Sequence, residues 1–253
     1  GRTLARIASS IWRPRTSVKG LRPSQRLALA LTALGPTFIK FGQALSTRAD
    51  LLGEESTADL AQLQDRLPAF PFSDAKTTIE NGFGTKLDTL FESFDEKPVA
   101  AASIAQVHFA VTTEGQEMAV KVLRPKIKEA FSADINVLYW LAEIAEQLFP
   151  KLRRLKPVDV VQTFEETARV EMDLRLEAAA AEEMAENFAG DETFRIPAVD
   201  WQRTSEHVLT LERVAGARID SIGAVERIGA DPVDVVKTTA EAFFKMVFHH
   251  GFF

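Results

Sequence analysis

The chain has no cysteine, which excludes disulfides, thiolate nucleophiles and zinc–thiolate centres. Its four histidines are His108, His207, His249 and His250, and apart from the adjacent pair they show no metal-ligand spacing. No apolar run approaches the roughly 20 residues of a membrane-spanning helix. A Gly-x-Gly-x-x-Gly phosphate loop is also missing. Acid is lacking at one end, where residues 1–30 hold Arg2, Arg6, Arg13, Arg15, Lys19, Arg22 and Arg26 and no Asp or Glu. That net +7 leaves −13 for the remainder of a chain whose total is −6. Such a leader reads as a transit peptide, as a surface for anionic lipid, or as a solvated basic segment before the first helix. The chain does not begin with Met and stops in an apolar stretch, His249-His250-Gly251-Phe252-Phe253, so it reads as a fragment.

What is present is ordinary for a soluble globular chain. The 253 residues are 46% apolar and 26% charged, enough for one large domain or two small ones with a sizeable core. Period and punctuation predict helices first. Ser24 is a candidate cap for a helix over Gln25–Leu34, and Gly35-Pro36 breaks it. A second helix follows over Thr37–Arg48, with Lys40 and Gln43 on one face and Phe41, Ala44 and Leu45 on another. A third spans Ser56–Leu67, with Leu60, Leu63 and Leu67 at helical spacing, ended by Pro68. A fourth spans Ser73–Asn81, capped by Ser73 and stopped by Gly82. On this reading the first ~95 residues are all helical. Near Lys97 the period drops to 2, which marks a new unit. After it, Ile127–Leu148 reads as a helix with Ile135, Leu138, Leu141 and Ile144 as its stripe.

A basic connector, Lys151–Lys156, leads to one long Ala- and Glu-rich helix over Val158–Phe188. Ile196–Val199 and Val208–Leu211 read as short strands. Helical spacing returns from Ser221 and over Pro232–Phe248, whose apolar face is Val233, Val236, Ala240, Phe243, Phe244 and Val247. The organisation expected is therefore a leader (1–30), a helical extension (31–96), a mixed unit with inserted helices (97–216) and the start of a further helical region (217–253).

The chemistry centres on Pro98–Pro125. A small-residue loop, Ala100, Ala101, Ala102 and Ser103, enters a hairpin of strands over Ile104–Val111 and Met118–Leu123, with Glu114-Gly115 at the turn. Small residues let backbone amides approach a bound group, and Lys121 on the partner strand could meet a phosphate beneath them. An ordinary hairpin with one snorkelling Lys fits these residues as well. Within the long helix, Asp173 and Glu177 stand four apart on one face, where like charges repel unless a cation intervenes. Glu182, Glu183 and Glu186 suit a solvated acidic face.

In that order, these segments resemble the UbiB family of atypical protein-kinase-like proteins. Leu34-Gly-Pro-Thr-Phe-Ile-Lys40-Phe-Gly42-Gln43 is similar to the family's KxGQ motif and continues as Leu45-Ser-Thr-Arg-Ala-Asp-Leu-Leu52. Leu63-Gln64-Asp65 and the Pro68–Phe72 spacing fit too. Ala100-Ala-Ala-Ser-Ile-Ala-Gln-Val-His108 resembles its Ala-rich nucleotide loop, and Val120-Lys121-Val-Leu-Arg-Pro125 its strand lysine. Glu171-Met-Asp173 resembles the ExD motif, Glu177-Ala178 the lysine-pairing helix Glu, and Val208–Gly216 the strand and hinge beside adenine.

The resemblance implies an α+β fold: a protein-kinase-like N-lobe with an N-terminal helical KxGQ extension and the first helices of the C-lobe. It implies that Lys121 and Glu177 pair as catalytic residues. Ala100, Ala101, Ala102, Ser103, Lys121, Glu212 and Val214 would hold ATP or ADP. Lys40, Gly42 and Gln43 would face Glu171 and Asp173 as a regulatory lid that disfavours protein phosphorylation. The family's catalytic-loop Asp and Asn and its metal-binding Asp are expected beyond residue 253, so magnesium ligands are expected there and efficient phosphoryl transfer is not expected from residues 1–253 alone. The implied setting is ubiquinone or related quinone-lipid biosynthesis, with a quinone-lipid intermediate, a membrane surface and quinone-biosynthesis proteins as partners and no nucleic acid. A membrane-associated protein of a bacterial inner membrane is favoured over a mitochondrion or plastid. A non-catalytic module binding a lipid or a partner through the helical extension is the competing class.

Overall fold

A computed structural model describes residues 20–63, 68–216, 219, 222–227 and 229–252. The leader through residue 19, Gln64, Asp65 and Leu67 of the third expected helix, Ser221 and Phe253 lie outside the described residues. The chain packs as two units, residues 1–65 and 66–253.

In the first unit, helices span Pro23–Leu34, Pro36–Ser46, Ala49–Leu52 and Glu54–Leu60. Gly35, at φ 115, supplies the left-handed backbone that turns the chain between the first two, and Pro36 opens the second. Ser24 is not the cap: the cap position is Arg22. The Ser24 hydroxyl instead donates to Asp59 at 2.5 Å, and Asp59 also accepts from Arg22. Asp59 is only 3% exposed, and these hydrogen bonds, Ser24's foremost, hold its carboxyl below the ordinary range. The second helix buries Phe38, Ile39 and Gly42 rather than the expected Phe41, Ala44 and Leu45. A Cβ at Gly42 would lie 2.3 Å from Leu63 Cδ1 and 2.7 Å from Leu31 Cδ1, so closeness, not φ, favours glycine there, and a larger residue would make both buried leucines shift. The third helix is shorter and earlier than expected; Leu60 and Leu63 are buried, but Leu63 already lies beyond its end.

The second unit is built on an antiparallel sheet in the order β1-β3-β4-β5, with β2 also paired to β3. The strands are β1 Phe91–Phe94, β2 Ala100–Ala101, β3 Ala105–Thr112, β4 Glu117–Leu123 and β5 Val208–Glu212. Helix Phe72–Phe83 covers one face: its Ala75 and Ile79 pack with Phe91, Ala110, Met118, Val120, Val122 and Val208. This helix and β1 therefore belong with the sheet, whereas period alone put them in the helical extension. Four residues are too few to show alternation, which is why β1 is invisible in the sequence. The helix is stopped by Gly84 in the left-handed conformation, φ 65, while Gly82 lies inside it against Ser205.

Helix Ile127–Leu148 has the expected ends, but its buried stripe is Ile127, Phe131, Ile135, Leu138 and Ala142, and Leu141 is exposed. The single long helix over Val158–Phe188 is in fact two, Pro157–Glu171 and Leu174–Asn187. The break falls at Met172-Asp173, where Asp173 is extended (φ −120, ψ 97) and its side chain accepts the Arg175 N–H. Asp173 therefore does not share a helical face with Glu177. An Asp that can cap outweighs the helix propensity of its neighbours. Only Val199 of Ile196–Val199 bridges β5. Helix Pro232–Phe244 runs into a π turn, Lys245–His249, and its expected apolar face is exposed at Val233, Val236, Phe243 and Phe244.

Candidate functional site

Strand alternation sets the site. Val120 and Val122 point to the core beneath helix Phe72–Phe83, so Lys121 leaves the sheet on the other face. Its cross-strand partners there are Val107 and Leu209. The Lys121 ammonium donates to both carboxylate oxygens of Glu177, at 2.9 and 2.7 Å, across 56 residues of sequence. Both side chains stay within reach of solvent, 30% and 48% exposed, so a ligand can meet the pair. The register puts Phe109, Ala119 and Leu211 on the same face, all half-buried, beside the fully buried Leu209. An apolar wall next to an ammonium offers contact for a flat ring and charge for an anion. Of these, Leu209 and Leu211 lie in the segment that the resemblance puts beside adenine; Phe109 and Ala119 are not singled out by it, although the alternation of β3 and β4 carries them.

Glu177 is positioned by the helix break. It sits in the first turn of helix Leu174–Asn187. The Leu174 N–H donates to the Glu206 carbonyl at 3.0 Å, tying the start of the helix to the segment entering β5. Asp173 caps that turn and receives Arg175 Nε at 2.9 Å and Nη2 at 2.6 Å. The Arg175 guanidinium is the main reason that its carboxyl is held below the ordinary range.

The small-residue segment is less open than its composition suggests. Ala100 and Ala101 form β2 against Val107 and Gln106, and Ser103 is 1% exposed. Arg124, three residues beyond Lys121, gathers the segment's carbonyls. Its Nε donates to Ala102 O at 3.2 Å and Ser103 O at 2.9 Å, and its Nη2 to Ala102 O and Pro68 O, each at 2.9 Å. The same guanidinium lies over the Phe70 ring, 5.4 Å from its centroid. Beneath the sheet runs a buried polar chain. The Phe70 N–H donates to Gln106 Oε1 at 3.0 Å, Gln106 Nε2 lies 2.9 Å from His108 Nε2, and His108 Nδ1 lies 2.7 Å from Asp95 O. An amide nitrogen only donates, so His108 Nε2 accepts and Nδ1 carries the proton. Burial holds the His108 pKa below its ordinary value.

Within the second unit, the side chains of Glu212 and Val214 are not seen to join Lys121. Glu212 pairs in register with Met118, so its side chain lies on the core side of the sheet, and Arg195 holds it at 2.9 and 2.8 Å. Any part it plays toward a ligand on the Lys121 face is confined to its main chain. Val214 follows β5 and is 53% exposed. Gln43 donates to Leu63 O at 3.3 Å within the first unit, where Lys40 is half-buried. Lys40, Gly42 and Gln43 belong to one unit and Glu171 and Asp173 to the other.

A cleft of about 790 Å³ lies at the turn end of the β3–β4 hairpin, among Glu114, Gln116, Trp201, Arg203 and Arg213. There Arg203, almost fully buried, binds Asp200, Glu114 and Leu90 O, and it is the main cause that draws the Glu114 pKa down to about 2. Among the described residues, no group of three or more His, Asp or Glu converges as a metal site.

Compared with known proteins, residues 62–253 match the ABC1 atypical kinase-like domain, well over half of the chain. The chain belongs to the ABC1 atypical kinase-like family. Among similar ABC1-type relatives is the probable protein kinase UbiB of Marinobacter nauticus, 41% identical over 233 residues, 92% of this chain and 43% of that protein. Its counterpart in Aeromonas hydrophila is 42% identical over 236 residues, again 43% of that protein. The chain thus spans less than half the length of the curated relatives that it matches. A solved structure of Rv3197 with erythromycin, from Mycobacterium tuberculosis, is 27% identical with a TM-score of 0.53, covering 89% of this chain and 54% of that one. The α+β, kinase-like ABC1 fold expected from the motifs is the fold that these matches share.

Proposed function

We propose that this chain is the nucleotide-gripping part of an ABC1-type atypical kinase or ATPase of the UbiB kind. The observation that carries the reading is the bidentate Lys121–Glu177 contact, 2.9 and 2.7 Å, on a sheet face that also presents half-buried apolar residues. ATP or ADP fits this surface. Its base would lie against Val107, Ala119 and Leu211, its phosphates at Lys121, and the Ala100–Ser103 segment would cover it. Glu177 keeps the ammonium pointed toward the place where the phosphates arrive. Magnesium, held by ligands beyond residue 253, would neutralise phosphate charge; the residues here only bind and orient. Lys40, Gly42 and Gln43 would meet Glu171 and Asp173 over the place where a protein substrate would otherwise enter. The role is then regulatory rather than protein-phosphorylating, in support of ubiquinone or related quinone-lipid synthesis at a bacterial membrane.

Calorimetric titration of ATP and ADP into the protein and its Lys121→Ala variant tests this. The variant should bind at least tenfold more weakly with a melting temperature within a few degrees of the parent, because the pair is solvent-reachable. Equal affinity in the two proteins would refute the site.

A further inference from the structure

Helix Ile127–Leu148 carries two apolar faces, and the fold uses one of them. The first packs on helix Pro157–Glu171, with Phe131 and Phe164 ring centroids 5.7 Å apart and the Tyr139 hydroxyl donating to Glu165 at 2.8 Å. The second holds Val137, Trp140, Leu141 and Leu148, exposed by 45%, 58%, 45% and 67%. At 100° per residue these four fall within a sector of about 100°, while Asn136, Glu143 and Gln147 occupy the polar side. Just past the helix end, Phe149 and Leu152 extend the face and are 56% and 37% exposed. Scattered exposed apolar residues need no explanation; six aligned on one helix and its tip mark a surface that meets something apolar.

The charge beside the face selects what it meets. The connector Lys151-Leu-Arg-Arg-Leu-Lys156 holds four basic residues and no acid, in a chain of net charge −6. Arg153 Nε donates to Glu146 O at 2.8 Å and so stays at the helix C-terminus, where the helix dipole favours a cation. Arg154 stands exposed beside it, and Lys156 bonds Asp159 at 3.0 Å. A further exposed apolar face, on helix Pro232–Phe244, has Asp231, Asp234 and Glu241 around it alongside Lys237, and the Lys245 at its end is paired with Asp191 at 2.7 Å. Trp and Phe suit the boundary between water and acyl chains, and Arg and Lys reach from that depth to lipid phosphates.

We propose that this face lies on an anionic bilayer surface, with Trp140, Leu148 and Phe149 in the acyl boundary and Arg153 and Arg154 among the headgroup phosphates. The contact is interfacial, since among the described residues no helix is long and apolar enough to cross a membrane. The idea rests on the reading that the protein works at a membrane and names the surface that touches it. Lipid contact and nucleotide binding are read separately, so either can fail alone.

The test uses the protein with only Trp140 of its three tryptophans retained (Trp12→Phe, Trp201→Phe), mixed with phosphatidylethanolamine–phosphatidylglycerol or with phosphatidylcholine vesicles. The anionic vesicles should shift Trp140 emission to the blue, and brominated acyl chains should quench it. In the otherwise native protein, Trp140→Glu/Leu148→Glu should lower partitioning onto anionic vesicles at least tenfold, with ADP affinity and melting temperature unchanged. Arg153→Gln/Arg154→Gln should weaken it about fivefold per charge, and only on anionic vesicles. These variants leave the basic leader intact. Unquenched Trp140 with unchanged partitioning in Trp140→Glu/Leu148→Glu would overturn the proposal and assign any binding to another segment. Self-association abolished by Trp140→Glu, without lipid quenching, would overturn it in favour of a second copy.

Discussion

Gln106, on β3, hydrogen-bonds through its buried side chain to the loop at Phe70 and to His108 of its own strand, and replacing it by Leu conserves volume while removing both bonds. Phe70 N–H, which lies 3.0 Å from Gln106 Oε1, and His108 Nε2, 2.9 Å from Gln106 Nε2, would lose their partners in a region where Gln106 and His108 are 1% and 0% exposed. An unsatisfied buried group costs about 1–3 kcal/mol, so the two together cost about 2–6. Burying Leu in place of the amide returns about 1–2 kcal/mol, and the net loss is centred on about 2.5 kcal/mol. For a chain of this size that lowers the melting temperature by about 5–10 °C.

The same network has a pH signature. The folded His108 has a depressed pKa, because burial disfavours the imidazolium, against an ordinary 6.5 in the unfolded chain. Below 6.5 the unfolded state therefore takes up a proton that the folded state refuses. This contribution is complete above that pH and falls as pH drops toward the folded value, by at most about 1.4 kcal/mol per unit. Asp95, through its carbonyl and its charge, opposes the trend but does not outweigh burial, and the aromatic neighbours Phe72 and Phe94 carry no charge. Urea unfolding followed by circular dichroism between pH 5 and 8 should show that slope in the parent and lose it in His108→Phe. A Gln106→Leu protein as stable as the parent, or an acid slope unaltered in His108→Phe, would refute the network.

Two further outcomes follow from close packing and capping. Gly42→Ala gains about 1 kcal/mol of helix propensity but drives a methyl into Leu63 and Leu31, which costs about 1–3 kcal/mol, so melting should occur at lower temperature; a stabilised variant would contradict the packing. Asp173→Ala should cost about 1 kcal/mol, with faster hydrogen exchange at Arg175, while Asp173→Asn retains most of the cap; exchange equal to that of the parent would show that the cap does not act.

Legibility in the sequence followed the strength of local patterns. The β3–β4 hairpin and helix Ile127–Leu148 were readable because alternation and helical spacing run unbroken over many residues. Lys121 and Glu177 were readable as partners only through resemblance, since no local rule joins residues 56 apart. β1 was hidden by its four-residue length, and Arg124 by its place in a motif that says nothing of the carbonyls it gathers. The break at Met172-Asp173 was hidden by good helix formers on either side. Propensity sums over a window, whereas a cap is decided at one residue.

That break insulates Glu177 from its own upstream sequence. Were residues 157–187 one continuous helix, gaining or losing a single residue anywhere before Glu177 would rotate it by 100° and swing the carboxylate away from Lys121. Because the helix restarts at Leu174 and is anchored to Glu206, length changes in Pro157–Glu171 leave the orientation of the pair untouched. The inserted helices are therefore free to lengthen, shorten and diversify, while the grip on the ammonium stays in phase.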